Sequence, residues 1–342
     1  MRLCASFIPF LLVSFVASVS FSRPALEKIS VEGDAQILRY LHGLTNYSFD
    51  WDDNIMFMPD HLGVVLFEKG SGKEVVISTE KFAEVREKVG KSGEFLNYEI
   101  IPEPRSQGSF RYFSTGANGE NYFLQGLKYQ LENEPEKLWK APAFEQFIYA
   151  LSNSLTASWT SIITARGHSA DEIYEGLVFL KGWLAKNKGV HIHLPPVNQL
   201  HGVSHPKYKG QADSPSAIKA ELMLEQLDAV SSGEYPEILP KVLNPNGSAY
   251  GDYFLWGFSD DDPGNYIKAI NVLSKAVASG KYQNIKITLF YTGQQKVNYP
   301  HQVVIKSDGS LREPILGELL EASDIHMKLK GLLNCSGVFS LL

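Results

Sequence analysis

FDWDDNI, Phe49 to Ile55, sets a run of acids directly behind an apolar stretch. The residues leading into it, Leu44 to Phe49, read as a strand, so Asp50 and Asp52 fall two apart on the loop leaving its carboxyl end. The same grammar returns twice. TSIITA runs into TARG (Thr164 to Gly167), and YFLWGF runs into GFSDDD (Gly257 to Asp262). Each is an apolar run that ends in groups able to hold a cation or an anion.

Helical patterns separate these runs. Ser169 and Glu172 form a capping-box signature ahead of Ile173, Leu177, Leu180 and Leu184. Ser214 and Pro215 open a second helix carrying Ile218, Leu222 and Leu227. Pro263 to Ala278 reads as a third, stopped by Gly280, and GVHIHLP (189–195) and IKITLFY (285–291) read as further strands. This alternation predicts an α/β fold, a Rossmann-like and mainly parallel sheet with helices on both faces. In such sheets ligands gather at the carboxyl ends of the strands, where all three clusters fall.

Residues 58–139 interrupt the alternation. Within them LGVVLFE and KEVVIS, joined by GSGK, read as a hairpin, and Ser78 or Thr79 starts a helix with Phe82, Val85 and Val89 on one face. Phe95 to Phe123 is aromatic and Gly-rich with no regular period, whereas Ala143 to Leu151 is again helical. The expected division is residues 1–22 as a leader, 23–57 as the start of the core, 58–139 as an inserted module and 140–342 as the rest of the core.

At 342 residues the chain has length for one large domain or two modest ones, and 44% hydrophobic with 20% charged residues suits a packed globular protein. A net charge of −6 offers no basic footprint for nucleic acid or an anionic membrane. Arg2, then CASFIPFLLVSFVASVSF with small residues around Ser20 and Ser22, reads as a secretory signal peptide. The expectation is an exported protein, periplasmic or secreted, with no stable membrane anchor after cleavage. A short helix is expected around Ala35 to His42. Cys4 lies in the leader, leaving Cys335 as the only mature cysteine, which excludes an internal disulfide framework. Sequons occur at Asn46, Asn246 and Asn334.

The order of motifs resembles the haloacid-dehalogenase (HAD) superfamily, most of whose members are magnesium-dependent phosphotransferases and phosphatases with an aspartate nucleophile. FDWDDNIMF is similar to the family's Asp-x-Asp motif, with Asn54 where Thr or Val is common. The resemblance implies Asp50 as nucleophile and Asp52 as acid/base, Thr164 as a phosphoryl-oxygen ligand and Lys219 in SPSAIKAEL as the lysine that neutralises developing charge. GFSDDDPGN resembles the acidic motif completing the magnesium shell, although Phe258 stands where the family often has its acid. The implied Mg²⁺ ligands are Asp50, Asp52, and Asp260 or Asp261, with Asp262 better suited to capping the next helix. The region 58–139 then corresponds to a cap over a small phosphorylated substrate.

The chemistry is consistent with these roles. A carboxylate attacks phosphorus only when oriented and screened by a cation, and a second carboxyl two residues on can protonate the leaving oxygen. An EF-hand loop starting at Asp50 is excluded, because its sixth and twelfth positions are Ile55 and His61 rather than Gly and Glu. Arg166 stands open between substrate contact and solvent. Two other functions remain in view: a catalytically inactive exported binding protein of this fold, and a zinc hydrolase built on His191, His193, His201 and His205.

Overall fold

The computed structural model describes residues 45–152, 154–231, 254–283, 285–295 and 297–313. The expected leader, the helix around Ala35 to His42, Cys335 and the sequons at Asn246 and Asn334 lie outside these residues. Among the described residues no helix is long and apolar enough to cross a membrane.

The fold is α/β, built on a seven-stranded, mostly parallel sheet. In chain order, β1 is Thr45–Phe49. A small antiparallel sheet follows, made of β2 (Val64–Glu68), β3 (Glu74–Ile77) and β4 (Tyr98–Glu99), with helix α1 (Thr79–Val85) between β3 and β4. Helices α2 (Tyr122–Asn133) and α3 (Phe144–Leu151) lead to β5 (Ser161–Thr164), then α4 (Ala170–Lys188) and β6 (Leu200–Gly202). Helix α5 (Pro215–Ser231), β7 (Phe254–Asp260), α6 (Pro263–Ala278), β8 (Ile285–Tyr291), β9 (Gln302–Ile305) and β10 (Leu311–Arg312) complete it.

The large sheet has the order β10-β9-β8-β7-β1-β5-β6. β1 pairs in parallel with β5 on one side and β7 on the other, while β9 and β10 add antiparallel strands at the far edge. From β1 the chain builds outward through β5 and β6, then returns to the opposite side of β1 for β7 and β8. The order therefore reverses between β1 and β7, and a reversal of this kind opens a crevice at the carboxyl ends of those strands.

Alternation along the strands feeds two separate cores. Ile162 of β5, with Phe49, packs against α2, α3 and α4 through Phe123, Phe147, Leu177 and Leu180. Its neighbour Ile163 packs the other way, with Trp256, Phe258, Met223 and Ile270, against α5 and α6. Every residue of β5 is buried, as expected for a continuous apolar run covered on both faces. Helix α4 begins at the expected capping box, with both arms present, and ends at Gly189 in the left-handed region (φ 65).

GVHIHLP is not a strand. The outer parallel strand is β6, a few residues later, paired Ile162↔Leu200. Pro195 and Pro196 have no N–H to give a ladder, and the His193 N–H bonds instead to the Leu151 carbonyl at 2.8 Å.

The hairpin of β2 and β3 forms as expected, with Val65 opposite Val76. The small sheet has its own apolar core, running from Met58 to Phe113 through Leu66, Val85 and Phe95, against which Phe110 and Tyr112 pack. Phe123, Leu127, Leu131 and Trp139 belong to the core of the large sheet. The stretch 58–139 thus contributes to both bodies, because the amphipathic face of α2 lies against α4. Gly176 permits that approach: a Cβ there would meet Phe123 at 2.4 Å.

Candidate functional site

Strand register brings the acids together. Phe49 lies beside Ser259, so Asp50 and Asp260, the next residue on each, are brought side by side, and the Asp50 N–H donates to the Ser259 carbonyl at 2.9 Å. Asn54 clamps the same junction. Its Nδ2 donates to the carbonyls of Asp50 (2.9 Å) and Ser259 (3.2 Å) and to Ser259 Oγ (2.9 Å), while its Oδ1 accepts from Thr292 Oγ1 at 2.8 Å. From the turn that follows β1, Asn54 thus ties the tips of β1, β7 and β8.

Lys219 reaches this junction from the second turn of α5. Its Nζ donates to Asp50 Oδ1 at 2.8 Å and to Asp260 Oδ2 at 2.7 Å, and its side chain is 1% exposed. The aim of the helix is set two turns further along. Gln226, seven residues on and so on the same face, accepts from Ser48 Oγ at 2.7 Å and donates to Ser161 Oγ at 2.8 Å. These buried polar contacts to β1 and β5 fix the rotation of α5 about its axis.

Asp260 is fully buried, and its second oxygen accepts from the Asp262 N–H (2.9 Å) and Asn265 Nδ2 (3.1 Å). Asp262 caps α6, accepting from the N–H groups of Gly264 and Asn265, and pairs with Arg86 at 2.8 Å. Among the described residues, Asp50, Asp260 and Asp261 are the group whose carboxylates lie close enough, within 4.8 Å of one another, to share a cation. Three carboxylates form an all-oxygen donor set, which fits a hard divalent ion such as Mg²⁺.

The electrostatics follow from crowding and burial. Burial pushes Asp50 up to about 7, opposed by Lys219 and assisted by Asp260 and Asp52. Burial also raises Asp260 against the pull of Lys219, and burial with the neighbouring Asp260 and Asp50 raises Asp261 well above the usual carboxylate range. Burial alone would lower Lys219, but Asp260 and Asp50 outweigh it and hold the ammonium above its ordinary value. Three acids crowded around one ammonium therefore hold on to protons, and a divalent ion would favour their ionised forms in place of those protons.

Asp52 lies apart from that group. Arg166 Nε donates to its two oxygens at 3.1 and 2.9 Å, and Nη2 donates to Oδ1 at 2.6 Å. The Asp52 carboxylate, expected among the metal ligands, lies outside the group of Asp50, Asp260 and Asp261, and a bidentate guanidinium engages both of its oxygens. Arg166 itself, left open by the sequence, is neither at the acid cluster nor in solvent. It is 2% exposed, with its guanidinium 5.3 Å from the ring centres of Phe113 and Phe123. Its charge partner lies 114 residues away in the chain, so no local signal announced the pair.

Thr164 ends β5, fully buried, and its Oγ1 accepts a long contact from the Arg166 N–H at 3.4 Å. The histidines do not converge. His191 and His193 are exposed, His201 Nδ1 is 2.8 Å from the Tyr208 hydroxyl, and His205 accepts from the Lys207 N–H. The sequon residue Asn46 is buried in β1, out of reach of glycosylation in the folded protein.

No family model, curated protein or solved structure matches the chain.

Proposed function

We propose that the protein is an Mg²⁺-dependent phosphomonoester hydrolase of HAD-like architecture, exported, with the small sheet module acting as a cap over a small phosphorylated substrate. The observation that carries this reading is the convergence of Asp50, Asp260, Asp261 and Lys219 at the reversal point of the strand order. Three chain segments more than forty positions apart meet there, each bringing a residue type that phosphoryl transfer needs. The motif order FDWDD, TARG, Lys219 and GFSDDD adds the family resemblance.

In this mechanism Asp50, Asp260 and Asp261 hold the ion. Mg²⁺ supplies screening between the Asp50 carboxylate and the phosphoryl group and charge neutralisation on its oxygens. Asp50 attacks phosphorus in line, forming its acyl–phosphate bond as the bond from phosphorus to the leaving oxygen breaks. Asp52, which enters this step protonated, gives its proton to that oxygen, and Arg166 pairs with the carboxylate that remains. In the second step water attacks the same phosphorus, its proton passes to Asp52, and the bond from phosphorus to Asp50 breaks to release phosphate. Lys219 neutralises charge on the transferring group, and Thr164 holds one of its oxygens.

The test is hydrolysis of p-nitrophenyl phosphate with and without Mg²⁺. Activity that requires the ion and falls at least about 10³-fold in Asp50→Asn supports the proposal. Inactivity across a broad phosphate panel, with Mg²⁺ still bound by calorimetry, would replace it with a binding protein of the same fold.

A further inference from the structure

We infer that Arg166 is a positioning residue for Asp52, and that Phe113 makes this placement depend on the small sheet module lying over the strand tips. The inference rests on the phosphatase reading and adds to it a residue outside the reacting groups.

Three observations carry it. First, the contact is a fork: Nε and Nη2 together engage both Asp52 oxygens, which fixes the plane of the carboxyl as well as its distance. Second, the guanidinium has little freedom of its own. Phe113 and Phe123 lie against it, Met58 Sδ contacts Nη2, and the side chain is 2% exposed against 14% for Asp52. The rigid member of the pair is buried, and the acid is the end that faces outward. Third, the arginine is not arranged to satisfy itself. Among the described residues its buried Nη1 has no hydrogen-bond partner, although the other two nitrogens are aimed at Asp52. A buried ion pair is a weak source of net stability, so stability alone gives this arrangement little reason to exist.

Phe113 supplies the link to the module. It belongs to the small sheet's core, and its carbonyl accepts from the Gly167 N–H at 2.6 Å, one residue beyond Arg166. Lifting the module away would remove one of the two rings that flank the guanidinium and the backbone bond beside it.

The test uses kcat/KM, which reports only steps through release of the alcohol, on phenyl phosphate (poor leaving group) and p-nitrophenyl phosphate (good leaving group). Arg166→Lys keeps the charge and loses the fork. It is expected to lower kcat/KM about 10²-fold on phenyl phosphate, the scale of a lost acid catalyst, and less than about tenfold on p-nitrophenyl phosphate. In an Asp52→Asn background, adding Arg166→Met is expected to change neither value further. Equal losses on the two substrates, no loss on either, or a further tenfold loss in the double variant would overturn the inference. Should Arg166→Lys fail to fold, the comparison of Asp52→Asn with the double variant, which removes both charges, decides alone. A wild-type protein inactive on p-nitrophenyl phosphate would sink the phosphatase reading itself; an active one with uniform losses overturns only the role of Arg166.

Discussion

Two buried cations stand on either side of the Asp50–Asp52 loop, and they solve opposite problems. On one side Lys219 is shared by Asp50 and Asp260, with Asp261 close by, so three acids answer one cation. On the other, Arg166 meets Asp52 alone and the charges balance. The first cluster is electrostatically incomplete and invites a cation; the second is closed and holds a geometry. The same residue type, two positions apart in sequence, is thereby given two different environments, which is how neighbouring carboxylates come to do different work.

The largest expected effect separates the two sides by their response to metal. Lys219→Met should cost about 3–5 kcal/mol of unfolding free energy in metal-free protein, since Asp50 and Asp260 lose their shared partner. Added Mg²⁺ should restore part of that loss. Arg166→Met should cost a comparable amount with no recovery on adding Mg²⁺, as followed by urea denaturation. Equal recovery in both variants would erase the distinction.

Next comes the metal itself. Mg²⁺ at a hundred times its dissociation constant should stabilise the wild type by about 2.7 kcal/mol. Asp261→Asn should lose most of that gain, while Arg166→Lys should keep it; thermal melts with and without EDTA measure both.

A smaller effect concerns Asp53, next to the pair but in neither. Burial raises it to about 7, against a hydrogen bond from Thr79, and its backbone sits at φ 56. Between the unfolded value and about 7 the folded chain keeps a proton that the unfolded chain releases. Stability from this group therefore falls as pH rises through that window, and the full penalty is present above it. Asp53→Asn, which tolerates the same backbone, should gain stability at pH 8 and almost none near pH 4, read from urea denaturation at the two pH values.

The smallest effect lies at the sheet's edge. Burial, with Lys207 nearby, lowers His201 to about 4. The unfolded chain then binds the extra proton first, so stability should decline as pH drops from about 6.5 towards 4. His201→Gln should flatten that decline in denaturation curves at the two limits.

The large sheet was readable because its strands and helices carry clean periods. TSIITA, YFLWGF and IKITLFY are apolar runs of strand length, and the capping box at Ser169 marks its helix outright. GVHIHLP carries the same alternation but is followed by two prolines, and the competing hydrogen bond to Leu151 was invisible locally. The acids could be found because each follows a strand, and Lys219 because it sits early in a capped helix. What could not be read was pairing at long range: Arg166 with Asp52, Asn54 across three strand tips, and Gln226 steering α5. The small sheet shows the same limit beyond its hairpin and helix, since Phe95 and Phe113 join its core from single turns without a period.

The three residues of β6 have one more consequence. A strand of that length, entered through Pro195 and Pro196, presents only a few free amide and carbonyl groups along its outer rim. Another polypeptide seeking to extend the ladder from there would find too little template to hold on, which guards this margin of the sheet against unwanted self-association.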